Sequence, residues 1–413
     1  MFCVTVLKLP SALTYVTDIF MLPLILFLLL ERSHPLKQVG AGYVSKIYIL
    51  YALIIVIGLI LNLVSPLLVV WGLRNGFRGA VFMIACVSFL TSADVQKIFN
   101  IMFWLQIANI AVTLYQYFVL DLSQDNLGGI FGTESGCNGY SNLFFIILLA
   151  YYTTAYFAKK TSFLKLLTVA ASTILIAAIA EIKFYYFEFA IIVVLCILFS
   201  KPSYKSIFFV LLAAVVMLLS LSIIERIFPD QAAVVTNVDE TLNYANAEGG
   251  GYNISRFNAF SRINQLFFHG DPIKNLFGQG LGSAEMSSYS FLTSDFYNEF
   301  GHYNYRWFSH MMLFLETGYL GVMLYLSVFV AVFVHAVKHR KVLNRTGDLY
   351  IAAFVQILSL MGIINTFYNA SLRAEPQYLY FFAISACMIY CKKRKPCTSQ
   401  VTSGIKGEKT NCY

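Results

Sequence analysis

Charge is scarce in this sequence. Only 12% of the 413 residues are charged, against 59% hydrophobic and 16% aromatic, which is too little polar material to clothe a water-soluble surface. The solvent for most of the chain must be lipid. Framework cysteines are lacking as well. Cys3, Cys86, Cys137, Cys196, Cys387, Cys391, Cys397 and Cys412 show no scaffold spacing, and Cys137 is the only one expected in an outer polar loop, so neither a disulfide nor a metal site follows. There is no Asp-x-Asp motif for a nucleotide-sugar enzyme, no Walker loop for a transport ATPase, and no run of His, Cys and carboxylates at metal-ligand spacing. A reaction without metal or other cofactor is the expectation. Internal repeats, linkers rich in Pro, Gly and Ser, and a second soluble domain are also missing. The N-terminus lacks a basic region followed by a short apolar core and a cleavage site, so its first apolar run reads as a retained membrane segment.

What is present is apolar length. Runs that reach or approach the thickness of a bilayer core lie near 13–30, 47–70, 77–93, 98–120, 140–158, 162–180, 184–200, 206–224, 310–335, 349–369 and 377–391. The expected fold is therefore an all-α integral membrane protein of about eleven transmembrane helices, with ten to twelve as the range. The run at 77–93 is the weakest, being short and carrying Arg78, and Glu181-Ile182-Lys183 reads either as a loop or as a polar interruption. The formal charge of +8 comes from basic clusters between apolar runs and not from one polar face, which points to membrane topology and away from nucleic acid. With eleven helices, 19 of the 29 Lys and Arg fall on one side, and the short segments of the other side hold 5. That asymmetry puts the large polar segment 225–309 outside the cytoplasm and the basic tail 392–413 inside. The expected organisation is helices one to eight in 1–224, one large extracytoplasmic loop in 225–309 that is partly helical, helices nine to eleven in 310–391, and the tail.

An enzyme working on the outer face has no ATP, so its substrate must arrive already activated, commonly as a lipid-linked diphosphate. Such a site needs cations. Arg256 and Arg262 stand in Ser255-Arg256-Phe257-Asn258-Ala259-Phe260-Ser261-Arg262, and guanidinium groups grip phosphate oxygens through paired donors without losing charge. Anchoring to anionic headgroups is the alternative. If the helix beginning near Met311 extends backward, His302, Arg306 and His310 share one face, with His310 as the better general base. The competing interpretation is an interfacial histidine in an aromatic belt of Tyr303, Tyr305, Trp307 and Phe308. Phe277-Gly278-Gln279-Gly280-Leu281-Gly282-Ser283 reads as a tight turn more than as a phosphate cradle. Glu188 and Glu316 fall inside apolar runs, where only a bundle-facing position is tolerable. Arg74, Arg78 and Lys183 sit at expected helix ends, where snorkelling is the default; Lys183 and Arg74 remain secondary substrate-binding candidates.

The order of these features resembles the O-antigen ligase and O-antigen polymerase family of bacterial envelope proteins. The likeness rests on a late outer loop with Arg256 and Phe260, then Pro272, then Gly278 and Gly280, then His310 opening a helix that continues Glu316-Thr317-Gly318-Tyr319-Leu320-Gly321. It covers most of the chain by layout and about 70 residues by motif. The resemblance implies transfer of a glycan from undecaprenyl diphosphate to an acceptor sugar hydroxyl in the bacterial inner membrane, with Arg256 on the diphosphate and His310 activating the acceptor. A chain-length regulator and a flippase are the partners it implies. Family ligases often carry Ser-Arg-Gly before a central helix; here the corresponding place reads Ala180-Glu181-Ile182-Lys183, which favours a polymerase of O-antigen or capsular repeat units over a ligase and offers Lys183 as a replacement cation. A transporter or lipid-glycan flippase is the rival from another class, although transporters gather their ionisable groups at mid-membrane.

Overall fold

The computed structural model describes residues 16–30, 34–200 and 254–392, together with Val215 and Asn237. The run at 206–224, the beginning of the polar segment at 225–253, Lys8 and nearly all of the basic tail lie outside the described residues. Among the described residues there is no strand. The ten long helices among the described residues are α1 (Val16–Leu30), α2 (Gly42–Asn62), α3 (Pro66–Phe89), α4 (Ser92–Phe118), α5 (Cys137–Phe157), α6 (Phe163–Ile179), α7 (Tyr185–Phe199), α8 (Ser309–Arg345), α9 (Leu349–Tyr368) and α10 (Gln377–Tyr390). Of these, α2, α3, α4, α8 and α9 are long and apolar enough to cross a membrane. The chain is a multi-pass, all-helical membrane protein.

Local chemistry fixes the boundaries. The expected runs 47–70 and 77–93 are in fact α2 and α3, separated at Leu63–Ser65. Pro66 takes the first position of α3, where its missing N–H costs nothing, and it pushes Ser65 into an extended conformation (ψ 132°) that no helix can traverse. Thr91 opens α4 with a reciprocal capping box to Asp94. Glu181, in a left-handed conformation (φ 53°), ends the α6 turn, so Glu181-Ile182-Lys183 is a true loop. Cys137, expected in an outer polar loop, begins α5 and is buried.

Two kinds of helix follow from the burial pattern. Nearly all of α5 is inside the protein, and 78% of the most apolar stretch of α9 is buried, against 22% for α2. The outer helices expose large apolar side chains such as Phe20, Ile60, Val70, Trp104 and Leu164, a surface that only hydrocarbon solvates well. Helix α9 packs against α8 and α5, and α10 against α3. Where α5, α7 and α9 meet, the Glu188 carboxylate accepts hydrogen bonds from Asn142 (2.8 Å) and Asn365 (2.8 Å). This carboxylate in the apolar interior is thereby satisfied by packing partners.

Helix α8 is broken. Gly318 has φ 63° and ψ −169° within it, and the carbonyls freed by the break are capped from outside: Gln279 N–H donates to Leu315 O (2.8 Å) and Gly280 N–H to Glu316 O (3.1 Å). Gly278 and Gly318 also bring two backbones into contact: a Cβ at Gly278 would strike the main chain of Glu316 and Thr317, and one at Gly318 that of Leu276 and Phe277. The glycine-spaced turn is therefore a cap for a discontinuous helix.

Candidate functional site

A cavity of about 660 Å³ opens beside the start of α8. Its walls come from the first turn of α5, the loop after α6, the segments 254–256 and 303–308, and the loop 368–374 that follows α9. Three guanidinium residues line it, Arg256, Arg306 and Arg373, together with Asp125, Glu181 and Glu285.

A backbone lock positions two of the cations. The amide of Asn304 locks onto the main chain of Ile254 from both ends: Ile254 N–H donates to Oδ1 (2.6 Å) and Nδ2 donates to Ile254 O (3.1 Å). Both residues are buried, so this lock sets Arg256 and Arg306, each two residues further on, against the same cavity. Arg256 lies with its guanidinium 4.4 Å from the centre of the Phe308 ring and 5.6 Å from that of Tyr368, and its Nε donates to Tyr368 O (3.5 Å). Arg306 lies 4.9 Å from the Tyr297 ring centre and its Nη1 is 3.0 Å from Met286 Sδ. Both guanidinium groups rest against aromatic rings at the cavity wall.

Arg373 is of another kind. Its Nη2 meets Glu285 Oε1 and Glu316 Oε2, each at 2.7 Å, with side-chain exposures of 8%, 10% and 0%. Glu316 also accepts from Gly282 N–H (3.0 Å). The glutamate expected to be costly inside an apolar run is thus an anchor tying the broken α8 to the loop after α9. Ser309 donates to Asn369 O through N–H (3.0 Å) and hydroxyl (2.8 Å), closing the same corner.

Several expected positions are corrected. Residues Asn304–Trp307 form a 3-10 turn and Phe308 is extended (φ −133°, ψ 135°), so α8 does not reach back to His302, and His302, Arg306 and His310 do not share a helical face. His302 is exposed beside Tyr303. His310 is buried and does not line the cavity. Its ring sits among Phe260 (5.7 Å), Phe308 (6.0 Å) and Phe367 (4.9 Å), so Phe308 is the neighbour it shares with Arg256. Neither imidazole nitrogen has a hydrogen bond of good geometry. Arg262 bonds Gln265 (2.8 Å) and, like Lys183, stays outside the cavity lining.

Arg74 and Arg78 are not snorkelling. Arg74 pairs through two nitrogens with Asp18 on α1 (2.6 and 3.1 Å). Arg78, with 4% of its side chain exposed, reaches Glu375 (3.2 Å) and donates to Arg373 O (2.7 Å). Burial pushes the Glu375 carboxyl up, yet Arg78, backbone hydrogen bonding and Arg74 outweigh it and hold it below the ordinary carboxylate value. A carboxyl depressed on folding adds stability above its unfolded value and loses it as pH falls through the folded one. Acid below the usual carboxylate range should therefore destabilise the wild type more than Glu375→Gln, as read by thermal unfolding in detergent at pH 7 and pH 3; equal losses would remove the pair from the account.

Sequence reasoning passed over Arg373, Glu285 and Asp125, and took Glu181 only as part of a polar helix-end turn with Lys183. Burial raises the Glu181 carboxyl above its ordinary value. The only signal in the sequence was a charged residue in an otherwise short polar turn. The arrangement suits a polyanion gripped by guanidinium groups in a cavity that carboxylates also line. No protein-family model matches the chain, and a search of the curated proteins gives no match.

Proposed function

We propose that the protein is a membrane glycosyltransferase that polymerises oligosaccharide repeat units carried on undecaprenyl diphosphate, with its cavity on the extracytoplasmic face of a bacterial inner membrane. Eleven crossings, the segment 225–309 outside and the tail inside belong to the same proposal. The observation that carries it is the convergence of Arg256 and Arg306 on one cavity at the end of a helical bundle.

Transfer needs two things from the protein. The departing diphosphate develops charge on its oxygens, which Arg256 and Arg306 stabilise together with the positive end of α5, whose first turn lines the same cavity. The acceptor hydroxyl must lose its proton as it attacks the anomeric carbon, and Glu181 takes that role because it lines the cavity. His310 packs near Phe308, the ring against which Arg256 rests. No nucleotide is required, since the donor arrives activated.

Deleting the gene tests this reading. Surface polysaccharide from the deletion strain should run as a single band carrying one repeat unit; bare core would favour the ligase or flippase alternative, and unchanged long chains would refute the proposal.

A further inference from the structure

At the end of α8 opposite the cavity, three side chains that the cavity does not use come together. His335 and His339 are one turn apart on α8, with ring centres 4.1 Å apart, and Cys391 follows the last turn of α10. Their ligand atoms all lie within 4.8 Å of one another. The i, i+4 histidine pair is visible along the chain, but Cys391 joins it from another helix, so the expectation from the sequence that no metal-ligand cluster exists did not foresee this grouping.

We infer that His335, His339 and Cys391 form a binding site for a divalent ion of the zinc class. Two imidazoles and a thiolate are ligands that such an ion prefers over oxygen-seeking cations. An independent observation supports the assignment. His335 is fully buried, and both of its ring nitrogens lack a hydrogen-bonding partner, which is costly for a polar group unless something else is bound there.

The second histidine is prepared in the usual manner of a metal ligand. His339 Nδ1 lies 2.9 Å from His335 O, so Nδ1–H donates to that carbonyl and Nε2 keeps the free lone pair. Gly40, whose missing side chain would meet Cε1 and Nε2 of His339, leaves that edge of the ring open. Zinc-class ions hold nitrogen at ~2.0 Å and sulfur at ~2.3 Å, so shifts on the order of 1 Å bring the three atoms into a common shell. Binding breaks the S–H bond of Cys391, the proton leaves to solvent, and a sulfur–metal bond replaces it. Cys387, one turn earlier on α10 and buried, stands beside this shell. The ion clasps α8 to α10.

Full-length protein purified in detergent and stripped with chelator should be titrated with cobalt(II) alone. One equivalent is expected to produce a thiolate-to-cobalt charge-transfer band and visible d–d bands, both removed by one equivalent of zinc. Cys391→Ser should abolish the charge-transfer band, and His339→Ala should weaken binding at least tenfold. Replacing the tail residues Cys397 and Cys412 with Ser should leave the spectrum intact. Absence of any band in the wild type, or a band that persists in Cys391→Ser or vanishes with the tail substitutions, overturns the site.

Discussion

Arg256→Ala is expected to abolish long glycan chains while leaving the amount of protein in the membrane unchanged. Arg256 lies on the Phe308 and Tyr368 rings at the cavity wall, so truncation removes a cation without opening the packed core. Loss of one preorganised donor to a developing anion typically lowers turnover by about 10²–10³-fold, enough to reduce a ladder of chain lengths to its first rungs. Arg256→Lys should recover only part of the activity, because an ammonium keeps the charge and loses the paired donors. Gel profiles of surface polysaccharide, alongside immunoblots of the membrane fraction, read both effects. Wild-type chain lengths in Arg256→Ala would take the residue out of the mechanism.

The second large effect falls on stability. Arg373→Ala leaves Glu285 and Glu316 facing each other with 10% and 0% of their side chains exposed and no counter-charge. Breaking a buried pair in this way costs about 3–5 kcal/mol, so the variant should unfold well below the wild type in detergent and accumulate poorly in cells. Combining Arg373→Met with Glu285→Gln and Glu316→Gln should restore much of the loss, since no buried charge is then left unpaired. An Arg373→Ala protein with the wild-type thermal midpoint would show that the triad does not hold α8 to the loop after α9.

The contrast between Arg256 and Arg373 separates what could be read in the sequence from what could not. Apolar length announces helices, and helices occupy the described runs, because burial in lipid demands satisfied backbone over a fixed thickness. Pro66 marked the division between α2 and α3 in plain view, but hydropathy alone ran across it. Arg256 was legible because it stands in a polar segment poor in other basic residues. Arg373 was not, because its meaning lies in carboxylates 88 and 57 residues away. The face shared by His302, Arg306 and His310 failed for a local reason: the extended Phe308 interrupts the helical period. Gly278, Gly280 and Gly318 were visible as a pattern, yet their purpose, letting the turn at 278–280 cap the broken α8, appears only when Leu315 and Glu316 are seen to need donors.

The most direct measurement of the central claim is a reconstituted reaction. Purified protein in detergent, given undecaprenyl-diphosphate-linked repeat units and no nucleotide, should convert them into a ladder of longer chains and release one undecaprenyl diphosphate for each linkage made, and Arg256→Ala should do neither at a comparable rate. Intact donor with no ladder and no released diphosphate, from wild-type protein that remains folded, would contradict the account.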